Sequence, residues 1–223
     1  MPSIDIGYFA FDLPPVQSQA AIWKVVNMGE RLIAGALLVL SFPILVLASI
    51  IVVAISRRSP LVAHRRVGHG GRAIWLLKLR TMWKGDSEKR LSFVHRLSAT
   101  EAPLLAPNKK NVQVSSRFAA FCRRYSLDEL PQLWHVVRGD LAFVGPRPLT
   151  RQELDTYYGS DTALIVSARP GLSGLWQVNG RSRLTYSQRR RLDLLLIRKW
   201  SVSLYFKILL LTLPRVLTGK DAW

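Results

Sequence analysis

Acid is scarce in this chain: 14 Asp and Glu face 32 Lys and Arg across 223 residues, leaving a formal charge of +18 and a pI near 11. Such an excess points to an anionic partner, whether nucleic acid, an anionic membrane face or a phosphorylated substrate. Cysteine is scarcer still. Cys122 stands alone, which excludes an intrachain disulfide framework, fits a reducing compartment, and reads as a small buried apolar residue. His64, His69, His95 and His135 have no cysteine or carboxylate at zinc-site spacing, so no histidine-bound metal is expected. Internal repeats and low-complexity tracts are missing too, and the length allows one domain with a real core and only marginally two.

Charge of either sign is absent from Leu32 to Ser56, the 25-residue run LIAGALLVLSFPILVLASIIVVAIS. As a helix it would reach about 37 Å, enough for the ~30 Å hydrocarbon layer of a bilayer. Two features count against a simple span. Pro43 removes a backbone donor near the middle, and Lys24, Arg31, Arg57 and Arg58 place positive flanks at both ends, which then prefer the same, cytoplasmic, side. A helix that enters, bends at Pro43 with the Ser41 hydroxyl serving freed backbone groups, and returns satisfies both ends. From these residues alone, spanning and re-entry both stand. The run starts too late and is too long for a cleaved signal peptide. Near the other terminus, Arg198 to Leu217 combines Trp200, Tyr205 and Phe206 with Lys207 and Arg215. That make-up suits a helix lying in the headgroup plane, with an ordinary amphipathic helix on a soluble core as the alternative.

Between these segments, LVAHRRVGHGGRAIWLLKLRTM carries two β-prone runs around Gly68, His69, Gly70 and Gly71, a hairpin pattern whose glycines lack the following helix of a P-loop or dinucleotide fingerprint. Residues 86–111 are polar and read as a connector with one short helix around Ser87 to Leu97. Ser115 to Arg124, Thr150 to Tyr158 and Leu184 to Trp200 read as helices, and Ala168 to Arg181 as a Gly-rich loop. The fold class is α+β: a small membrane-associated domain with an N-terminal helix, a β-hairpin and amphipathic helices.

The stretch SLDELPQLWHVVRGDLAFVGPRP, Ser126 to Pro148, puts Asp128 and Glu129 side by side in this basic chain. Ser126-x-x-Glu129 is a capping-box pattern; alternatively Asp128 is the cap and Pro131 falls in the first turn. Either way the carboxylates lie at a helix N-terminus, which lowers carboxylate pKa and draws phosphate. An ionised carboxylate beside phosphate can act as a magnesium ligand, a nucleophile or both. Capping alone would account for the pair in an arbitrary chain. Here Arg123 and Arg124 precede it, and Arg147 sits between two prolines in Gly145-Pro146-Arg147-Pro148, pre-organised to hold an oxyanion.

KLRTM (Lys78 to Met82), RRYSLDELPQLWHVVRGDLAFVGPRP (Arg123 to Pro148) and RPGLSGLWQVNGR (Arg169 to Arg181) closely resemble the bacterial sugar transferase family, the monotopic phosphoglycosyl transferases, in their minimal catalytic form. The resemblance runs from about Asn27 to the C-terminus. It implies transfer of a sugar-1-phosphate from a UDP-sugar to polyprenyl (undecaprenyl) phosphate, with Mg2+, releasing UMP and starting a glycan at the cytoplasmic face of the bacterial inner membrane. It implies Asp128 as the nucleophile that carries a covalent phosphosugar, with Glu129 as metal ligand and proton manager. By the same resemblance, Asp128 and Glu129 bind the metal, and Lys78, Arg123 and Arg147 hold phosphates. Arg169, Gln177, Asn179 and Arg181 then shape the nucleotide pocket, and the membrane helix is re-entrant, broken at Ser41 and Pro43. The organisation expected is a lead segment over 1–26, a re-entrant helix over 27–58 and a catalytic domain over 59–223, with membrane lipids as partners and homo-oligomerisation open. The sequence departs from the family pattern at Phe42, which separates Ser41 from Pro43 where a Ser-Pro pair is usual, at His64, at Asn108 to Asn111 and near Tyr205. A basic scaffold without catalysis and a nucleic-acid-binding protein are the alternatives; neither explains both the dyad and the apolar run, and no basic helix carries a base-reading pattern.

Overall fold

The computed structural model describes residues 20–83, 115–180 and 184–218. Helix α1, Ala20–Ser56, is 37 residues long with Pro43 inside it. The helix runs through Pro43 without an interruption and begins at Ala20, ahead of the segment read from residue 27. Proline deletes one hydrogen bond, the one its nitrogen would donate to the Val39 carbonyl, and a long helix tolerates that single loss. Ser41 does turn its hydroxyl back to the backbone, donating to the Leu38 carbonyl at 3.2 Å.

A buried or half-buried stripe runs along α1 from Glu30 through Ala34, Leu38, Ser41, Leu45, Ala48 and Val52 to Ser56. Steps of three and four residues keep these positions on one face. Off that face, Leu32, Val39, Leu40, Phe42, Leu47 and Ile50 are more than half exposed. The helix is long and apolar enough to cross a membrane, yet it is docked along its length.

The hairpin is as the glycines foretell: β1, Leu61–Val67, pairs antiparallel with β2, Ala73–Leu79, in a register that sets Val62 opposite Lys78. Its turn needs glycine at Gly70 and Gly71, where φ is +66° and +78°. Helix α2, Arg117–Arg124, starts on a Ser116 cap and ends on Ser126, whose φ of 57° is left-handed. A 3-10 segment, Leu127–Gln132, and α3, Leu133–Arg138, follow. Strand β3, Ala142–Val144, pairs in parallel with β4, Gly171–Ser173, across a crossover holding α4, Arg151–Tyr157, and α5, Thr162–Val166. The expected loop from Ala168 is therefore a strand followed by one helical turn, α6, Leu175–Val178. Two short strands leave little periodicity for a sequence to display. Helices α7, Tyr186–Arg198, and α8, Val202–Thr218, complete the described chain.

Ala34 packs against Leu76, Leu133, Val136 and Leu141, while Ala48 and Val52 pack against Leu79 and Cys122. Near the start of α1, Trp23 meets Trp200 and Tyr205 at centroid distances of 5.2 and 5.9 Å. On α8, Tyr205 and Ile208 are buried whereas Phe206, Leu210 and Leu213 are exposed. The short helix expected at Ser87 to Leu97 lies outside the described residues, as do residues 1–19.

Candidate active site

Ser126 makes no side-chain cap bond, so the capping-box pattern is not used. Its left-handed backbone instead closes α2, an amide-to-carbonyl bond running from Ser126 back to Arg123 at 3.2 Å. The chain reverses there and Asp128 and Glu129 fall in the first turn of the 3-10 segment. Asp128 is 8% exposed, and burial, with Glu129's repulsion second, pushes its carboxyl up to about 6. Lys78 and Arg123 pull the other way. The expected lowering by a helix N-terminus is thus reversed, because losing water costs an ionised carboxylate more than one short turn returns.

Glu129 is turned outward and meets Lys78 Nζ at 2.6 Å. The Lys78 and Glu129 side chains keep 32% and 42% of their surface in water, so the pair contributes little to stability and a good deal to local charge. Lys78 is held in place from behind. Among the described residues no third strand pairs with the outer edge of β2; the Leu77 amide donates to His135 Nε2 at 3.3 Å, and His135 Nδ1 lies 3.2 Å from Asp140 Oδ2. An Nε2 that accepts requires the proton on Nδ1, which then donates to Asp140. Nothing in the spacing of His135 announces this role. Arg123 reaches Met82 Sδ at 3.3 Å, and burial lowers its guanidinium while Asp128 and Glu129 oppose that. Among the described residues, Asp128, Glu129, Lys78 and Arg123 form one electrostatic unit.

Arg147 belongs to a second group. Its guanidinium lies 5.1 Å from the Trp176 ring centroid, and that of Arg189 lies 4.3 Å from the same centroid. Desolvation, then repulsion from Arg147, brings Arg189 down to about 10. Asp193, one helical turn on, is buried and accepts from the Tyr158 hydroxyl at 2.9 Å; burial pushes its carboxyl up to about 7. Among the described residues no ion pair holds Arg147. The β3 to β4 contact that positions its turn is tight enough that a Cβ at Gly145 or Gly171 would collide with backbone. Arg189 and Asp193, four residues apart on α7, were the legible sign of this group.

The remaining expected residues are placed as follows. Arg169 hydrogen-bonds Asn27 and lies 3.3 Å from Glu30, both on α1. The Asn179 amide donates to the Leu175 carbonyl at 2.7 Å, closing α6. Gln177 Oε1 is buried with no hydrogen-bond partner among the described residues. Arg181 lies outside the described residues. Ser41 is buried on the stripe of α1, and Pro43 is exposed.

Adjacent carboxylates of this kind fit Mg2+, which commonly takes one or two carboxylates and completes its shell with water and phosphate oxygens. The fit has a physical sign, the mutual repulsion of Asp128 and Glu129 that a cation would relieve.

The chain is 34% identical over 212 residues to exopolysaccharide production protein ExoY of Rhizobium meliloti, covering 93% of each. It is 38% identical over 166 residues to the UDP-galactose-lipid carrier transferase of Erwinia amylovora, spanning 74% of this chain and 35% of that longer protein. A UDP-glucose:undecaprenyl-phosphate glucose-1-phosphate transferase of Caulobacter vibrioides is 35% identical over 200 residues, 86% of this chain and 69% of its own length. The pattern described as bacterial sugar transferase matches residues 22–219. Dyad, hairpin lysine and apolar helix thus occur in a chain that belongs to the bacterial sugar transferase family.

Proposed function

We propose that the protein transfers a sugar-1-phosphate from a UDP-sugar to polyprenyl phosphate and so begins assembly of a bacterial glycan. Relatives named as undecaprenyl-phosphate galactose phosphotransferase and UDP-glucose:undecaprenyl-phosphate glucose-1-phosphate transferase support the substrate classes. The observation that carries the reading is Asp128 itself: a carboxylate removed from water, beside a second carboxylate, under the charges of Lys78 and Arg123. With a pKa of about 6 it is ionised at neutral pH and poorly solvated, which makes it a nucleophile.

An Asp128 carboxylate oxygen attacks the β-phosphorus of the UDP-sugar. The bond from that phosphorus to the bridging oxygen breaks, and UMP leaves with the electron pair. A phosphate oxygen of the lipid then attacks the same phosphorus, breaking the bond to Asp128 and restoring the carboxylate. Lys78 and Arg123 hold the donor's phosphate oxygens as charge moves onto the leaving UMP. Arg147, standing on Trp176, holds a further phosphate oxygen. Glu129, placed by Lys78, keeps the negative charge that lets the dyad take Mg2+, and the ion when bound would neutralise diphosphate charge.

Because α1 is docked on the catalytic domain along its length, it can lie with its exposed apolar face in one leaflet and both of its ends on the same side of the membrane. The exposed apolar face of α8 lies in the same surface layer of lipid. The test is direct. With radiolabelled UDP-sugar and no lipid, the wild type should retain label through denaturation, and Asp128→Asn should retain none and release no UMP. An active Asp128→Asn enzyme would end the assignment.

A further inference from the structure

Glu30 is the acid that the mechanism leaves unused. It sits on α1 just before the uncharged run, is 3% exposed, and is fully engaged. Its Oε1 accepts from the Phe143 amide at 2.8 Å and from the Tyr205 hydroxyl at 2.7 Å, and its Oε2 lies 3.3 Å from Arg169. One carboxylate therefore joins four pieces of chain: α1, the middle of β3, the residue leading into β4, and α8. Two of these, α1 and α8, carry the exposed apolar faces. The other two bear the turn that holds Arg147, since β3 runs directly into Gly145-Pro146-Arg147-Pro148. The dyad has ties to α1 of its own, Leu130 and Leu133 in the cluster around Ala34 and Leu38, and Leu79 and Cys122 against Ala48 and Val52. Glu30 and Val52 are separated by roughly 33 Å of helix at 1.5 Å per residue.

We propose that Glu30 is a positioning residue: with Arg169, Tyr205 and the Phe143 amide it locks the lipid-facing helices to β3 and so sets the height at which the site meets the membrane-borne acceptor phosphate. The inference rests on the lipid-phosphate transferase reading above. Donor and acceptor arrive differently. A UDP-sugar comes from water and finds its site at any height, whereas a polyprenyl phosphate is held at headgroup depth and must be met there. Loosening the Glu30 joint shifts the Arg147 turn against α1 and α8 while the dyad keeps its own anchorage. Arg169 is thereby assigned to this joint.

The experiment compares Glu30→Gln, which keeps the shape and loses the charge, and Tyr205→Phe, which removes one hydroxyl, with the wild type in liposomes containing undecaprenyl phosphate. Labelled UDP-glucose or UDP-galactose is used, whichever the wild type accepts. The donor step, read as the lipid-free label on the protein, should stay within about twofold, and the KM for undecaprenyl phosphate should rise about tenfold with the KM for the UDP-sugar unchanged. That split in either variant supports the proposal. Loss of both steps together in both variants, or no change in either step, overturns it. Should the wild type carry no label, the covalent intermediate is wrong, and the split between the two KM values still decides the role of Glu30.

Discussion

At Asp128 two requirements oppose each other. Reactivity needs an ionised, poorly hydrated carboxylate, and folding is favoured by a hydrated or neutral one. Its pKa is about 6 in the fold against an ordinary 3.8, so it binds its proton more tightly folded than unfolded. The stabilisation from protonation is complete below about pH 4 and is lost as pH rises through about 6. Asp128→Asn should therefore unfold at higher temperature than the wild type at pH 8, by the equivalent of about 1–3 kcal/mol, and the difference should vanish near pH 4. Detergent-solubilised protein followed by differential scanning fluorimetry at the two pH values checks this; equal melting at pH 8 would contradict the burial. Activity should rise across the same interval as the nucleophile ionises. The identity of the dyad was legible in Asp128 and Glu129 as written. Its electrostatics were not, because the cluster that takes in its neighbour Leu127 draws on Leu79 and on Ala48 and Val52 of α1, far away in sequence. Likewise Ser126-x-x-Glu129 looked like a cap, and the lysine that claims Glu129 lies 51 residues earlier.

Helix α1 has two faces with different work. Ala34 is fully buried against Leu133 and Val136, whereas Leu40 is 73% exposed. Ala34→Leu should overpack that contact and cost about 1–3 kcal/mol of stability, seen as a lowered melting temperature in detergent. Leu40→Ser should leave melting unchanged and weaken flotation with liposomes. If the two variants behaved alike, the division of faces would be wrong. The hairpin and helices α2, α4 and α7 were readable because turn glycines, caps and charged faces mark them locally. Strand β4 was hidden: Gly171–Ser173 is three residues long, and its pairing with β3 is set by a crossover and by glycines that let two backbones touch.

At the scale of the molecule, the contacts of α1 predict its sidedness. Cysteines placed at Lys24 and at Arg58, both exposed, should react with an impermeant maleimide from the same side of sealed vesicles; opposite-side labelling would establish a span. The native thiol adds no background, since Cys122 is buried and desolvation pushes it up to about 11. The stripe from Glu30 to Ser56 has one more consequence. A membrane anchor joined only through a linker can be exchanged for any other hydrophobic segment of the right length. This one supplies core residues to the hairpin, to α3 and to the ground beneath the dyad. A chimera carrying a foreign apolar helix would reach the bilayer with its active site unsupported, so anchor and enzyme here are parts of one fold and can be redesigned only together.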